Sequence, residues 1–217
     1  MDSLLHETSK MINIIDYEMG NLRSVEKAFE SLGFAARVSA DPADIASADK
    51  LVLPGVGAFA DCIANLKKGG FVAPLLAHVE SGKPLLGICV GMQMLFDESE
   101  EFGRHRGLGL IPGRVVRFPS GMVENGERLK VPHMGWNNLL LKKPSPLFTG
   151  VENESFVYFV HSYYCRAAND DDVAAGCRYG EIEFCASILH DNIMATQFHP
   201  EKSQAVGLKI FKNFGEL

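Results

Sequence analysis

Residues 11–217 predict an α/β fold: a mostly parallel open sheet flanked by helices, with an added antiparallel β extension. Three observations carry this. Residues 11–15 (MINII), 51–53 and 84–88 (PLLGI) are short apolar runs, as expected of strands buried on both faces. Segments of helical period lie between them. Downstream of Gly107 the pattern changes to short β-rich runs separated by turn residues.

Asn21 stands where it would cap a helix in which Leu22, Val25, Phe29 and Leu32 recur every three or four residues. Gly33 ends that helix, and residues 34–38 (FAARV) read as the next strand. The strand at 51–53 is closed by Pro54-Gly55. Helices are expected over 58–67 and 71–80, and the strand at 84–88 runs straight into a helix over 91–96. In the second half, strands are expected at 114–118, 136–141, 156–160, 185–189 and 193–197. Turn signals fall at Pro112-Gly113, Glu124-Asn125-Gly126, Pro144-Ser145-Pro146 and Asp191-Asn192, the last at a hairpin connection. A final helix over 203–214 places Val206, Ile210 and Phe214 on one face.

The 217 residues are 47% hydrophobic, 9% aromatic and 22% charged, which excludes disordered, collagen-like and coiled-coil classes. A net charge of -6 offers no electrostatic footprint for nucleic acid or an anionic membrane. The longest apolar stretch, 84–96, is interrupted by Gln93 and falls short of the roughly 20 residues of a spanning helix. Residues 1–10 (MDSLLHETSK) lack a cationic start and an apolar h-region. They read as a short polar extension ahead of a single domain at 11–217, and a cytoplasmic location is expected. The five cysteines (62, 89, 165, 177 and 185) are odd in number and scattered, with no CxxC pair. Neither a disulfide framework nor a zinc ribbon is expected. No HExxH and no dinucleotide fingerprint are present, so neither a metal nor an organic cofactor is implied.

Gly87-Ile88-Cys89-Val90-Gly91 follows an apolar strand and opens a helix, the form of a nucleophile elbow. The glycines allow a sharp turn that pushes Cys89 into the crevice at the carboxyl end of the sheet. The helix N-terminus beneath it favours negative charge. A buried cysteine in a glycine-tolerant turn has the same local sequence. A thiol nucleophile needs a base, and His199 lies in Gln197-Phe198-His199-Pro200-Glu201-Lys202 just after a strand candidate. Pro200 biases His199 toward an extended conformation, in which His199 and Glu201 share a face. A carboxylate there fixes the imidazole tautomer and stabilises its protonated form. A surface His-Glu pair at a strand end is the alternative. For an oxyanion, the backbone N–H of Val90 is one candidate donor, and the second comes from Pro54-Gly55-Val56-Gly57. That segment is not a phosphate loop, since no Gly-Lys-Ser/Thr follows.

Cys89 in GICVGMQ, His199 and Glu201 in QFHPEKS, and PGVGAF together resemble the triad and oxyanion strand of the class I glutamine amidotransferases. His199 follows Cys89 by 110 residues, which also fits. DYEMGNLRSV (16–25), VPHMGWN (131–137) and YFVHSY (158–163) resemble, more narrowly, the glutaminase subunits of imidazole glycerol phosphate synthases. The resemblance spans residues 11–217. Val90 and Glu18 depart from the family's usual residues, and the ten-residue extension has no counterpart.

This resemblance implies glutamine hydrolysis through a Cys89 thioester, with His199 shuttling protons and Glu201 holding it. It implies that Gly57, Gln93, Glu101 and the backbone of Ser162 and Tyr163 bind the substrate. The Val56 and Val90 backbones are expected to serve the oxyanion, and the glycines on either side of Val56 suggest that its peptide turns the N–H into place only in the active complex. The implied partner is a (β/α)8-barrel cyclase subunit in a heterodimer, receiving ammonia for histidine biosynthesis. Asn21, Trp136, Tyr158 and Lys202 match positions at or near that interface. An amidotransferase subunit of another synthase, as in surface-sugar biosynthesis, would carry the same triad. A free-standing cysteine hydrolase or an inactive binding subunit would be further alternatives.

Overall fold

The computed structural model describes residues 10–124 and 126–217, so the amino-terminal extension, apart from Lys10, lies outside the described residues. The first half alternates: β1 (Ile12–Ile15), α1 (Leu22–Ser31), β2 (Ala36–Ser39), α2 (Pro42–Ser47), β3 (Lys50–Gly55), α3 (Phe59–Lys68), α4 (Val72–Glu80), β4 (Leu85–Cys89) and α5 (Val90–Met94). The chain then turns to strands: β5 (Phe96–Ser99), β6 (His105–Arg106), β7 (Ile111–Arg117), β8 (Val123–Glu124), β9 (Glu127–Arg128), β10 (His133–Asn138) and β11 (Leu140–Leu141). After these come β12 (Phe156–His161), β13 (Tyr163–Ala167), β14 (Val173–Tyr179), β15 (Ile182–His190), β16 (Ile193–Thr196) and the closing helix α6 (Gln204–Gly215).

The main sheet runs β2-β1-β3-β4-β16-β15-β13-β7-β5-β6, with β14 on β15 and β11 on β14. Strands β2, β1, β3, β4 and β16 are mutually parallel. Every residue of β1, β3, β4 and β16 is buried, which accounts for their continuous apolar runs. From β16 to β15 to β13 to β7 the pairing is antiparallel. The parallel strands β3, β4 and β16 therefore end side by side at their carboxyl termini, the usual ligand edge of such a sheet. Strands β10 and β12 form a separate antiparallel pair. Phe29 of α1 is fully buried 4.6 Å from the Phe211 ring of α6, joining the two ends of the chain.

Several boundaries differ from the sequence expectation for identifiable reasons. Asn21 occupies the N-cap position of α1, but its side chain makes no capping bond. Pro54-Gly55 does not close β3; both pair with β4, opposite Ile88 and Cys89. The β1–β3 pairing ends at Val52, so Pro54 faces a free edge on that side, where proline is tolerated. Pro112-Gly113 lies inside β7, because a side chain at residue 113 would sit 2.3 Å from the Arg166 carbonyl of the neighbouring strand. Phe96 begins a strand instead of ending a helix. The expected hairpin at Asp191-Asn192 does join β15 to β16, with Asp191 left-handed at φ 49°. Asn125 is outside the described residues, but the flanking β8 and β9 pair antiparallel around it. Glu18 adopts φ 70°, a conformation that favours glycine.

Candidate active site

Cys89 ends β4 at φ 55° and ψ -113° and stands at the N-cap of α5. Such strain persists only where the surroundings enforce it. Here they do: a Cβ at position 91 would lie 1.8 Å from the Leu53 carbonyl oxygen, and one at position 55 would lie 2.6 Å from the Gly91 nitrogen. Glycine at 55 and 91 thus lets β3 and α5 touch backbone to backbone. That contact sets the PGVG segment beside the elbow.

His199 follows β16, its N–H bonded to the Tyr158 carbonyl at 3.0 Å. Its Nδ1 is 2.8 Å from Oε1 of Glu201, and both side chains are almost wholly buried. The two meet because His199 is extended and residues 200–202 form a short 3-10 turn; they do not lie along one extended segment as expected. Asn21 Nδ2 donates to the same Glu201 oxygen at 3.3 Å, and Ser24 Oγ donates to Asn21 Oδ1 at 2.9 Å. Burial of the imidazole disfavours its charged form, but interactions with Cys89 and Glu201 outweigh this and raise its pKa to about 10.

A group whose folded pKa is raised stabilises the fold fully below its unfolded pKa, near 6.5, and loses that contribution as pH rises through about 10. Glu201→Gln removes one source of the rise. Its stability deficit relative to the parent is therefore largest near pH 6.5 and shrinks toward pH 10. Urea unfolding of both proteins across this range measures it. A deficit that grows with pH would contradict the assignment.

A cleft of about 420 Å³ opens over Cys89 and His199. Val56, Gly57, Val90, Gln93, Glu101, Ser162, Tyr163 and Lys202 all line it, as do Pro132, Val160 and His161. A larger groove of about 990 Å³ on the antiparallel extension contains none of the triad residues. Both N–H groups of Gln93 are spent inside the protein, on the Tyr163 carbonyl at 3.0 Å and Gln197 Oε1 at 3.1 Å. Its carbonyl oxygen is left as an acceptor. Glu101 Oε2 accepts the Phe59 N–H at 2.7 Å, supplying the cap that Ala58 cannot give α3. The Val56 carbonyl accepts from the Cys62 thiol at 3.5 Å. Among the described residues, no group of three or more His, Cys, Asp or Glu side chains is placed to hold a metal ion.

Trp136 and Tyr158 face each other across β10 and β12, rings 6.0 Å apart, with the Lys202 amine 5.8 Å over the Tyr158 ring. Of these, Lys202 lines the cleft, and Trp136 and Tyr158 do not. Two residues near the thiol were given no role by sequence. Gln197 Nε2 lies 3.7 Å from Cys89 Sγ, and Tyr17 donates to the Pro54 carbonyl at 2.5 Å. Gln197 belongs to the same segment as His199, and its two-residue offset at a strand end was the available signal.

A cysteine elbow on a parallel sheet, beside a buried His–Glu pair, is the arrangement expected of a cysteine hydrolase of the triad type. The family described as "Glutamine amidotransferase class-I" matches residues 13–216, and the chain belongs to it. It is 63% identical over 207 residues to the protein of Syntrophotalea carbinolica named "Imidazole glycerol phosphate synthase subunit HisH", covering 95% of this chain and 100% of that one. It is 62% identical to the protein of the same name from Geobacter sulfurreducens, covering 95% and 98%. A solved structure of PurLQS from Thermotoga maritima shares the fold at a TM-score of 0.72 and 20% identity, covering 95% of this chain and 97% of that one.

Proposed function

We propose that this chain, with residues 11–217 acting as one amidotransferase domain, works in the cytoplasm with a (β/α)8-barrel cyclase as a heterodimer. The chain is the glutaminase subunit of an imidazole glycerol phosphate synthase: it hydrolyses glutamine and feeds ammonia to the cyclase in histidine biosynthesis. Among the described residues no helix is long and apolar enough to cross a membrane.

The chemistry follows from the cleft. The Cys89 thiolate attacks the γ-carboxamide carbon, and the developing oxyanion takes N–H bonds from Val90 and from a reoriented Val56 peptide. Protonated His199, held by Glu201, gives its proton to the amine. The C–N bond breaks, ammonia leaves, and a γ-glutamyl thioester remains. Water, deprotonated by His199, then attacks the thioester; glutamate departs and the thiolate is regenerated. Gln93 Oε1 and the Glu101 carboxylate are acceptors suited to the substrate's α-ammonium. The Ser162 and Tyr163 N–H groups, with Gly57 admitting close approach, suit its polar end. A shielded exit matters because ammonia in neutral water is mostly protonated and no longer nucleophilic.

One observation carries this reading: Cys89 and His199 line the same cleft, and Glu201 is hydrogen-bonded to His199 behind it. Its test is synthesis. With the cyclase from the same genome, the chain forms imidazole glycerol phosphate from glutamine and restores growth of a histidine auxotroph. Failure of rescue would favour another synthase; full glutamine turnover by the chain alone would favour a free-standing hydrolase.

Exposed apolar side chains mark the partner face. Met134, Trp136, Phe156, Tyr158 and Val160 share the outer face of the β10–β12 pair, with Met134 at 62%, Trp136 at 46% and Phe156 at 60% exposure. Aromatic side chains on such a patch serve as anchors. Lys202, and Asn21 behind Glu201, extend the patch to the cleft rim. Trp136→Ala is expected to weaken cyclase binding by about 30-fold, as for an interface hot spot. Titration calorimetry against the purified cyclase measures it, and an unchanged Kd would move the interface elsewhere.

A further inference from the structure

We propose that His161 is a positioning residue for the glutamine site, acting through the Tyr163 carbonyl, with His133 and Asn137 fixing its tautomer. This rests on the proposal that the Ser162–Tyr163 backbone receives the substrate.

His161 of β12 and His133 of β10 are paired across the strands and are both buried. His161 Nδ1 lies 2.9 Å from the Tyr163 carbonyl, and His161 Nε2 lies 3.1 Å from His133 Nδ1. Asn137 Nδ2 lies 3.2 Å from His133 Nε2 and 2.8 Å from the Arg178 carbonyl. These contacts have one consistent direction. A carbonyl only accepts, so His161 Nδ1 carries its proton and, in the neutral ring, Nε2 accepts. His133 Nδ1 must then donate, and His133 Nε2 accepts from Asn137. The Arg178 carbonyl fixes the orientation of the Asn137 amide in turn. Phe118, Phe159 and Phe184 pack around both rings. Burial, above all, pushes His161 down to about 3 and His133 to about 4, so both stay neutral.

The chain ends on a residue that matters. The Phe118 N–H bonds the Ser162 carbonyl at 3.0 Å, so the Ser162 carbonyl is turned toward β7. Tyr163, opposite Arg117, is therefore the alternate position, with its N–H and C=O turned away from β7. The carbonyl is held there by two donors, His161 Nδ1 and Gln93 Nε2. The Tyr163 N–H lies on the same side of the strand, toward the cleft. His161, Ser162 and Tyr163 all line that cleft.

The test uses the complex with the cyclase and compares His161→Leu with His161→Asn. The Asn amide can place an N–H where Nδ1 was. Leaving the buried Tyr163 carbonyl with Gln93 as its one remaining donor is expected to raise the glutamine KM about ten-fold in His161→Leu, with kcat held within about three-fold. Alkylation of Cys89 by a glutamine-shaped chloroketone slows by the same factor, while alkylation by iodoacetamide keeps its rate. His161→Asn recovers most of the KM. An unchanged KM, equal slowing of both reagents, or no recovery with Asn would overturn the proposal. Should His161→Leu fail to fold, Asn137→Ala at the outer end of the chain decides: a KM raised about three-fold supports it and an unchanged KM refutes it. Absence of glutamine turnover in the unmodified complex would refute the glutaminase reading instead.

Discussion

Cys89→Ala abolishes glutamine-dependent synthesis by the complex, by about 10⁴-fold or more, while synthesis from added ammonium salts survives at the parental rate. The size follows from the unit character of the triad. Without sulfur there is no thioester, and neither His199 nor the oxyanion donors can substitute for the missing nucleophile. The change should leave the fold intact. Alanine is smaller than cysteine, and the residue's left-handed φ is imposed by the β3–α5 contact and not by its side chain. Survival of the ammonia reaction separates a lost nucleophile from a lost complex. Equal loss of both reactions would mean that Cys89 serves assembly.

Gly91→Ala is expected to be the most damaging small substitution near the site. The new methyl would lie 1.8 Å from the Leu53 carbonyl oxygen and 2.9 Å from its carbon. Both are backbone atoms of a central strand and cannot rotate aside. Overpacking commonly costs 1–3 kcal/mol, and contact this close against a fixed main chain should cost about 3 kcal/mol or more. The only relief is to part β3 from α5, which also moves the Val56 and Val90 N–H groups away from the proposed oxyanion position. Activity should fall with stability. Gly87→Ala is the comparison: its methyl would meet Leu95 Cδ1 at 3.0 Å and Met92 backbone at 3.1 Å, partly yielding neighbours. Chemical denaturation should rank Gly91→Ala well below Gly87→Ala. The reverse order would contradict the packing assigned to the elbow.

What the sequence disclosed depended on how local each constraint is. The parallel strands were legible because burial on both faces demands unbroken apolar runs, as in 84–88. The elbow was legible because the close approach of two backbones demands glycine at fixed positions. Helix α2 was missed because six residues are too few to show a period, although Asp41 caps it by accepting the Ala43 N–H at 2.9 Å. Strand β7 was cut short because Pro112-Gly113 carries a turn signal. The neighbouring strand's need for space at Gly113 is a tertiary fact. His199 and Glu201 were paired from an extended-chain argument, whereas a 3-10 turn brings them together. The contacts of Tyr17 and of the His133–His161 pair reach across the fold, and single-residue context holds no signal for them; Gln197 was legible only through its two-residue offset from His199.

The proposed mechanism passes glutamine through a covalent bond to one sulfur. Mass spectrometry of the complex, acid-quenched during steady turnover and digested, tests it most directly. The account predicts a glutamyl adduct on the peptide containing Cys89, absent in Cys89→Ala. An adduct on the peptide of Cys62, Cys165, Cys177 or Cys185, or glutamine turnover that persists in Cys89→Ala, would contradict it.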